Sequence, residues 1–366
     1  MVGVSPCPST ARFPHLAKGH QTGCSKTPQG TSAMLAFVKQ GRETMRTAKL
    51  GPLGDVSRLT LGGGGIGQIW GETSRDEAID TLHAAVEAGI TVIDSAPMYG
   101  ACEDNIGLAF EGRPPEHLKF TTKCAIGSPE AAKIGPGLAA SVEASLKAMR
   151  LERVDLFFLH SNIHADDFVY AHGNDRRDQM GTSWSLYVNE VIPAFEQLKA
   201  QGKIGAWGIT GIGVPTDVLR AIGHTPRPDA VQAIANLMDS AGALRRYAEP
   251  ERAREIAATA KAAGCGVMGI RAVQAGALTL AVDRELRPNS PDNADYARAA
   301  PFRALCARWG RDPAYVAHRY ALTMPNIDTL VLGVKNRTEL AMCVAAEADG
   351  PYSADEMAEI DGLGLR

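Results

Sequence analysis

From residue 58 to about residue 346 the chain repeats one unit: a short apolar run, then a stretch with a helical face. The runs cover residues 58–61, 90–93, 118–123, 154–159, 204–210, 230–235, 266–270 and 329–332. They are apolar throughout rather than alternating, as strands are when both faces are covered. Between them, Ile79, Leu82 and Val86 share a helical face that follows Ser74-Arg-Asp-Glu77, a capping-box pattern, and stops at Gly89. Leu138, Val142 and Leu146 form another such face, and residues 103–110, 188–200, 215–222, 251–263 and 337–346 also read as helices. Regular strand–helix alternation over about 250–300 residues predicts a (β/α)₈ barrel. Two polar stretches, 161–183 and 283–299, interrupt the rhythm and read as loops.

Residues 1–44 fall outside the pattern. They are rich in Ser, Thr, Gly, Pro and basic residues, with Glu43 the only acid. They lack the apolar core of a secretory signal. The segment reads as a disordered leader or as an upstream start, with Met34 or Met45 the true one, and the second reading is preferred. The expected domain is therefore a single barrel over residues 45–366. The net charge of −3 supplies no field for nucleic acid or a membrane surface, and no apolar run reaches the ~18 residues of a membrane span. Seven scattered cysteines without a CxxC pair suit a reducing compartment, not a disulfide frame or a structural zinc site. The expectation is a cytoplasmic protein, a monomer or weak homo-oligomer, acting on a small molecule.

Barrel chemistry lies at the C-terminal ends of the strands. Asp94 ends the second run and Tyr99 follows it; Lys123 ends the third; His160 follows the fourth. Taken singly, these could be a helix N-cap, a loop aromatic, a snorkelling lysine and a core histidine. Together they place ionisable groups directly after neighbouring apolar strands, where each must find a partner or water. Carbonyl reduction by hydride gives the set a joint role. The alkoxide needs a proton, and a tyrosine hydroxyl of pKa ≈ 10 is a weak donor at neutral pH. A nearby ammonium stabilises the phenolate, a buried aspartate keeps the ammonium charged, and a histidine orients the carbonyl. Tyr99 is thus the expected general acid/base, Lys123 its tuner, Asp94 the partner of Lys123 and His160 the orienting donor.

With these residues in hand, the sequence resembles the aldo-keto reductase superfamily, over residues 45–346. The matching features are the D-x4-Y spacing of Asp94 and Tyr99, then Lys123 and His160 in order, LGGGGIGQIWG, GITG after strand five, VQAIAN, and GVKNRTEL after strand eight. The sugar- and pyridoxal-oxidising members, such as aldose 1-dehydrogenases, resemble it most. The resemblance implies a nicotinamide dinucleotide held by Gly65, Ile66, Asn162, Thr210, Gln232, Ile270, Arg271, Gly276, Leu278, Gly333, Lys335, Asn336 and Glu339, with Trp70, Met98 and Trp184 as substrate-pocket walls. Some positions depart from the family. Thr210-Gly211 stand where many members have Ser-Asn. Ile270 replaces a stacking tyrosine, and Arg271 faces either a cofactor phosphate or the surface. Gly333 and Glu339 replace the Lys and Arg that pair with a 2′-phosphate, which favours NAD over NADP, although Lys335 and Arg337 lie close by.

Gly62, Gly64 and Gly67 also fit a dinucleotide-fold G-x-G-x-x-G. No helix opens directly after them, however, and that reading leaves Tyr99, Lys123 and His160 without a role. His164, Asp166, Asp167, His172 and Asp175 could be imagined as metal ligands but read as loop polarity, and no metal is expected. The function expected is an NAD(P)-dependent oxidoreductase. The alternatives are a cofactor-binding regulatory subunit of the same fold, and a lyase or isomerase using Lys123 as a Schiff-base nucleophile.

Overall fold

The eight apolar runs close into an all-parallel barrel in the computed structural model, which describes residues 45–366. The barrel strands are β3 (Leu59–Gly62), β4 (Val92–Asp94), β5 (Lys119–Cys124), β6 (Val154–Leu159), β9 (Ile204–Thr210), β10 (Ala230–Ile234), β11 (Gly266–Ile270) and β12 (Thr329–Leu332). They pair in that order, and β12 closes on β3 through Leu330↔Leu59 and Leu332↔Leu61. Helices α1 (Arg75–Glu87), α2 (Cys102–Phe110), α3 (Ile134–Met149), α4 (Ile192–Ala200), α5 (Pro215–Gly223), α6 (Ala253–Ala262), α7 (Pro291–Arg298), α8 (Ala300–Trp309), α9 (Pro313–Thr323), α10 (Arg337–Ala348) and α11 (Ala354–Asp361) follow in chain order. The α3 face is buried as predicted, Leu138, Val142 and Leu146 joining one core cluster with the outward side chains of the strands; on α1 the buried face is Ala78, Leu82 and Ala85, with Val86 half-buried against it and Ile79 outside the cluster.

Four features depart from the sequence expectations. First, β1 (Thr47–Lys49) and β2 (Asp55–Ser57) form an antiparallel hairpin ahead of the barrel. Leu50 and Val56 from this hairpin pack with Val92, Leu156, Phe158, Ala206, Ala230 and Met268, so it plugs the N-terminal mouth. Second, residues 161–183 are folded. β7 (Asn162–His164) pairs in parallel with β8 (Gly181–Ser183), and short helical turns span Asn174–Arg176 and Arg177–Met180. Third, the polar stretch 283–299 contains α7. Fourth, the first capping box is only half made. Ser74 accepts from the Glu77 backbone N–H, but the Glu77 carboxylate turns to Arg337 on α10. Arg337 also pairs with Asp80, so two carboxylates of α1 hold the last barrel helix where the barrel closes.

No helix of the described residues is long and apolar enough to cross a membrane. The described cysteines, Cys102, Cys124, Cys265, Cys306 and Cys343, are buried and unpaired. Cys7, Cys24 and the readings made for residues 1–44 lie outside the described residues.

The glycine run after β3 packs backbone on backbone. A Cβ on Gly62 would collide with the Leu332 carbonyl, one on Gly65 with that of Val334, and one on Gly67 with that of Tyr99. These glycines therefore let the turn after β3 lie against the β12 loop and against the loop that carries Tyr99. Gly67→Ala should displace Tyr99, destabilising the protein by about 1–3 kcal/mol and reducing turnover. Gly223→Ala, where a Cβ would meet nothing within 4 Å, should leave both unchanged. Denaturant unfolding and steady-state rates on the two variants check this, and equal effects would contradict it.

Candidate active site

Strand geometry explains why the four ionisable groups meet. Residues two apart on a strand share a face, so Thr121 and Lys123 of β5 both point into the barrel, next to Asp94 at the end of β4. Lys123 Nζ donates to Asp94 Oδ2 at 2.5 Å and to the Ser95 carbonyl at 2.8 Å. Its side chain is fully buried and that of Asp94 nearly so, at 0% and 3% exposed. Nζ also lies 4.8 Å from the centroid of the Tyr99 ring. Tyr99 and His160 are only partly buried and face the mouth. Their rings meet edge to face with centroids 5.8 Å apart. The structure thus gathers the four predicted residues: an ion pair in the interior, and a hydroxyl and an imidazole at the opening.

The electrostatics refine the roles. Burial works against a charge on Lys123, but Asp94 and Tyr99 overcome it and hold the ammonium above its ordinary value. The sequence reading expected Lys123 to lower the Tyr99 pKa. Lys123 does pull it down, but burial outweighs that pull and Asp94 pushes the same way as burial, so the phenol sits above its usual value. Burial, then the positive charge of Lys123, lowers His160 to about 3, so its imidazole is neutral across the physiological range.

Two supporting residues were missed. Thr121 Oγ1 donates to Asp94 Oδ1 at 2.5 Å; its place two residues before Lys123, on the same face of the strand, was a usable signal. Glu103, on α2, is buried and accepts from Thr122 Oγ1 at 2.6 Å. Burial raises its pKa. In sequence it looks like an ordinary acid of a helix's first turn.

The residues expected to hold a cofactor spread over the C-terminal side of the barrel. Gln232, fully inside, donates its amide to Asp94 Oδ1 at 2.9 Å, which joins it to the ion pair. Thr210 Oγ1 donates to the Leu159 carbonyl at 3.2 Å, and Asn162 opens β7 with its side chain buried. Trp70 lies beside both Gly64 and Gly333, and Arg284 stacks 5.1 Å from its ring centroid. Asn336 caps α10 by accepting from the Glu339 N–H. Glu339 accepts from the Lys335 N–H at 2.9 Å and pairs with Lys335 Nζ at 2.7 Å, while Lys335 also reaches Asp283. Arg337 is committed to α1. Gly276 turns the chain at φ +92.

Other positions serve the scaffold. Ile66 and Leu278 have their side chains in the main core. Ile270 packs against Ile212, Ile234, Ala241 and Ala253. Arg271 does not extend into solvent: its side chain is only 9% exposed, donates to Gln274 Oε1 at 2.9 Å and pairs with Asp292 of α7 at 3.2 Å. Trp184 sits with Tyr187, His224 and the Arg220 guanidinium, in the helical layer. Met98 stands at the mouth, 56% exposed.

The polar residues of 161–183 are used locally. His164 is buried against Phe168 and Tyr170, and Asp166 accepts from the Ser185 N–H and hydroxyl. Among the described residues no group of three or more His, Cys, Asp or Glu is placed to hold a metal ion.

Comparison with known proteins agrees with this geometry. Residues 58–364 match the family model described as Aldo/keto reductase family. The chain is 24% identical over 314 residues to an L-galactose dehydrogenase of Arabidopsis thaliana, covering 85% of this chain and 87% of that one. It is 26% identical over 193 residues to a D-threo-aldose 1-dehydrogenase of a Pseudomonas species, covering 46% and 53%. Its fold matches an aldo-keto reductase from Klebsiella pneumoniae solved in complex with NADPH, with a TM-score of 0.61 at 18% identity, covering 87% and 95%. With the family model spanning the whole barrel and the tetrad at its strand ends, this chain belongs to the aldo/keto reductase family.

Proposed function

We propose that the protein is an NAD(P)-dependent oxidoreductase that interconverts a carbonyl and an alcohol carbon of a small substrate, with Tyr99 as general acid and base. The observation that carries this reading is the buried Asp94–Lys123 pair beneath the Tyr99 ring, with Tyr99 and His160 turned to the opening. That arrangement serves proton transfer at an oxygen and leaves the redox equivalent to a cofactor.

The residues present suit a nicotinamide dinucleotide. Thr210, Asn162 and Gln232 offer the hydroxyl and amide groups that a carboxamide needs. Gly333, Lys335, Asn336 and Glu339 line the start of α10, where a ribose would rest. A carboxylate at Glu339 accepts from a ribose hydroxyl and repels a 2′-phosphate, which favours NAD, with Lys335 offsetting part of that preference. The bound nicotinamide supplies or takes up the hydride.

The chain does the rest. His160, neutral, donates an N–H that orients the carbonyl oxygen beside Tyr99. Tyr99, kept protonated by its raised pKa, gives its proton to the developing alkoxide. Lys123 stabilises the phenolate that remains, and Asp94, fixed by Thr121 and Gln232, holds Lys123 in place. In the oxidative direction the same groups run in reverse. Burial of the ion pair keeps water from competing for these protons.

Titration of the protein with NADH and NADPH, followed by tryptophan fluorescence, should show binding of both and tighter binding of NADH. On any substrate turned over, Tyr99→Phe should lower kcat by ~10²-fold or more with cofactor affinity retained. Failure to bind either nucleotide, or an unchanged kcat in Tyr99→Phe, sinks the reading.

His160 gives a pH prediction. Folded, it takes up a proton only near pH 3; unfolded, its pKa is about 6.5. Between these values the unfolded chain binds more protons, so stability falls as pH drops from about 6.5 toward 3. His160→Gln should lose less stability than wild type between pH 7 and pH 5 in denaturant unfolding. Identical losses would show that His160 titrates normally.

A further inference from the structure

We infer that the substrate presents an apolar alkyl or aryl group to this site rather than a chain of hydroxyls, and that this group enters a side chamber between the β4 and β5 loops. The inference rests on the oxidoreductase reading and specifies the substrate for it. A cavity of about 230 Å³ opens beside the catalytic groups, lined by Pro97, Met98, Cys124, Ala125 and Ser141 together with Lys123 and His160. Lys123 is occupied by Asp94 and Ser95, and His160 faces the reacting oxygen. Burial pushes the Cys124 thiol up, so it is uncharged, and the Ser141 hydroxyl lies against it. Proline, methionine, alanine and a neutral thiol are left as the chamber's walls, with one hydroxyl among them. A cavity of ~150 Å³ lined by apolar side chains admits benzene, so this chamber accepts a phenyl ring or a chain of similar bulk. A polyhydroxylated group would find only the Ser141 hydroxyl as a free side-chain partner along these walls, where an apolar group packs directly on Pro97, Met98 and Ala125.

The exposed large hydrophobic residues among those described are Ile69, Met98, Val169 and Leu280. Each lies in the connection that leaves the C-terminal end of a barrel strand: β3, β4, β6 and β11. None lies on the outer helices or at the plugged end. Met98, one of the four, is itself a wall of the chamber.

The reaction in the reductive direction is R–CHO + NAD(P)H + H⁺ → R–CH₂OH + NAD(P)⁺. The carbonyl carbon gains the hydride and its oxygen gains the Tyr99 proton, which solvent then replaces. The experiment compares benzaldehyde and hexanal with D-glyceraldehyde and D-galactose, using both reduced cofactors. Benzyl alcohol and galactitol binding to the protein without cofactor, read by calorimetry, gives a measure apart from turnover. Ala125 is solvent-exposed, so Ala125→Trp narrows the chamber without crowding the core. The expected result is a kcat/KM at least tenfold higher for benzaldehyde and hexanal than for the polyhydroxy aldehydes. Benzyl alcohol should bind measurably and galactitol should not, and Ala125→Trp should reduce both the preference and benzyl alcohol binding by about tenfold. Turnover that favours the polyhydroxy aldehydes, or a preference untouched by Ala125→Trp, overturns the inference while leaving the oxidoreductase reading standing. No turnover of any aldehyde with either cofactor overturns both.

Discussion

The site depends on one ion pair placed where no water reaches it. Removing a lysine and an aspartate from water is costly, and the cost is met only if geometry and further hydrogen bonds are good. Here they are: Asp94 receives Lys123 on one oxygen and both Thr121 and Gln232 on the other, and Lys123 also donates to the Ser95 carbonyl. Deleting either charged partner would strand a buried charge, a penalty of about 3–5 kcal/mol. Such a pair is hard to justify as a stability device, because an apolar replacement would serve as well. In the proposed reaction its value is to hold a positive charge beneath Tyr99.

The scaffold converts local packing into that placement. The glycine run after β3 lets backbone rest directly on the Tyr99 and Val334 carbonyls, so the β3 turn, the β4 loop and the β12 loop form one tight layer at the mouth. Glu77 and Asp80 gripping Arg337 join the helices that flank the seam where the barrel closes. At the opposite end the β1–β2 hairpin fills the barrel's base with Leu50 and Val56. Asp94 and Lys123 are thereby fixed at strand ends, with Tyr99 and His160 on the loops that follow, where chemistry is set in this architecture.

Most of the barrel and all of the tetrad were legible in the sequence. Continuous apolar runs and heptad-like faces reveal strands and helices because burial on one or two sides leaves a periodic trace. The tetrad is visible because charged residues directly after such runs are physically costly. The hairpin was not legible, since three-residue strands around Gly51-Pro-Leu carry no periodicity. The folding of residues 161–183 was hidden too: its order comes from packing among His164, Phe168 and Tyr170 and from Asp166 capping Ser185, contacts that only the tertiary fold creates. Arg271 shows the same limit, because its partner Asp292 lies 21 residues away on a helix concealed in a polar stretch. The balance of effects on Tyr99 was also out of reach, as spacing shows that an ammonium is near but not how much burial opposes it.

The most direct test of the account follows the hydrogen itself. Benzaldehyde is reduced with NADH or NADPH deuterated at nicotinamide C4, and the benzyl alcohol is examined by mass spectrometry and NMR. The account predicts one deuterium on the carbinol carbon, with the hydroxyl proton coming from solvent by way of Tyr99. An alcohol whose carbinol carbon carries no deuterium would contradict hydride transfer at this site and with it the role assigned to the four residues.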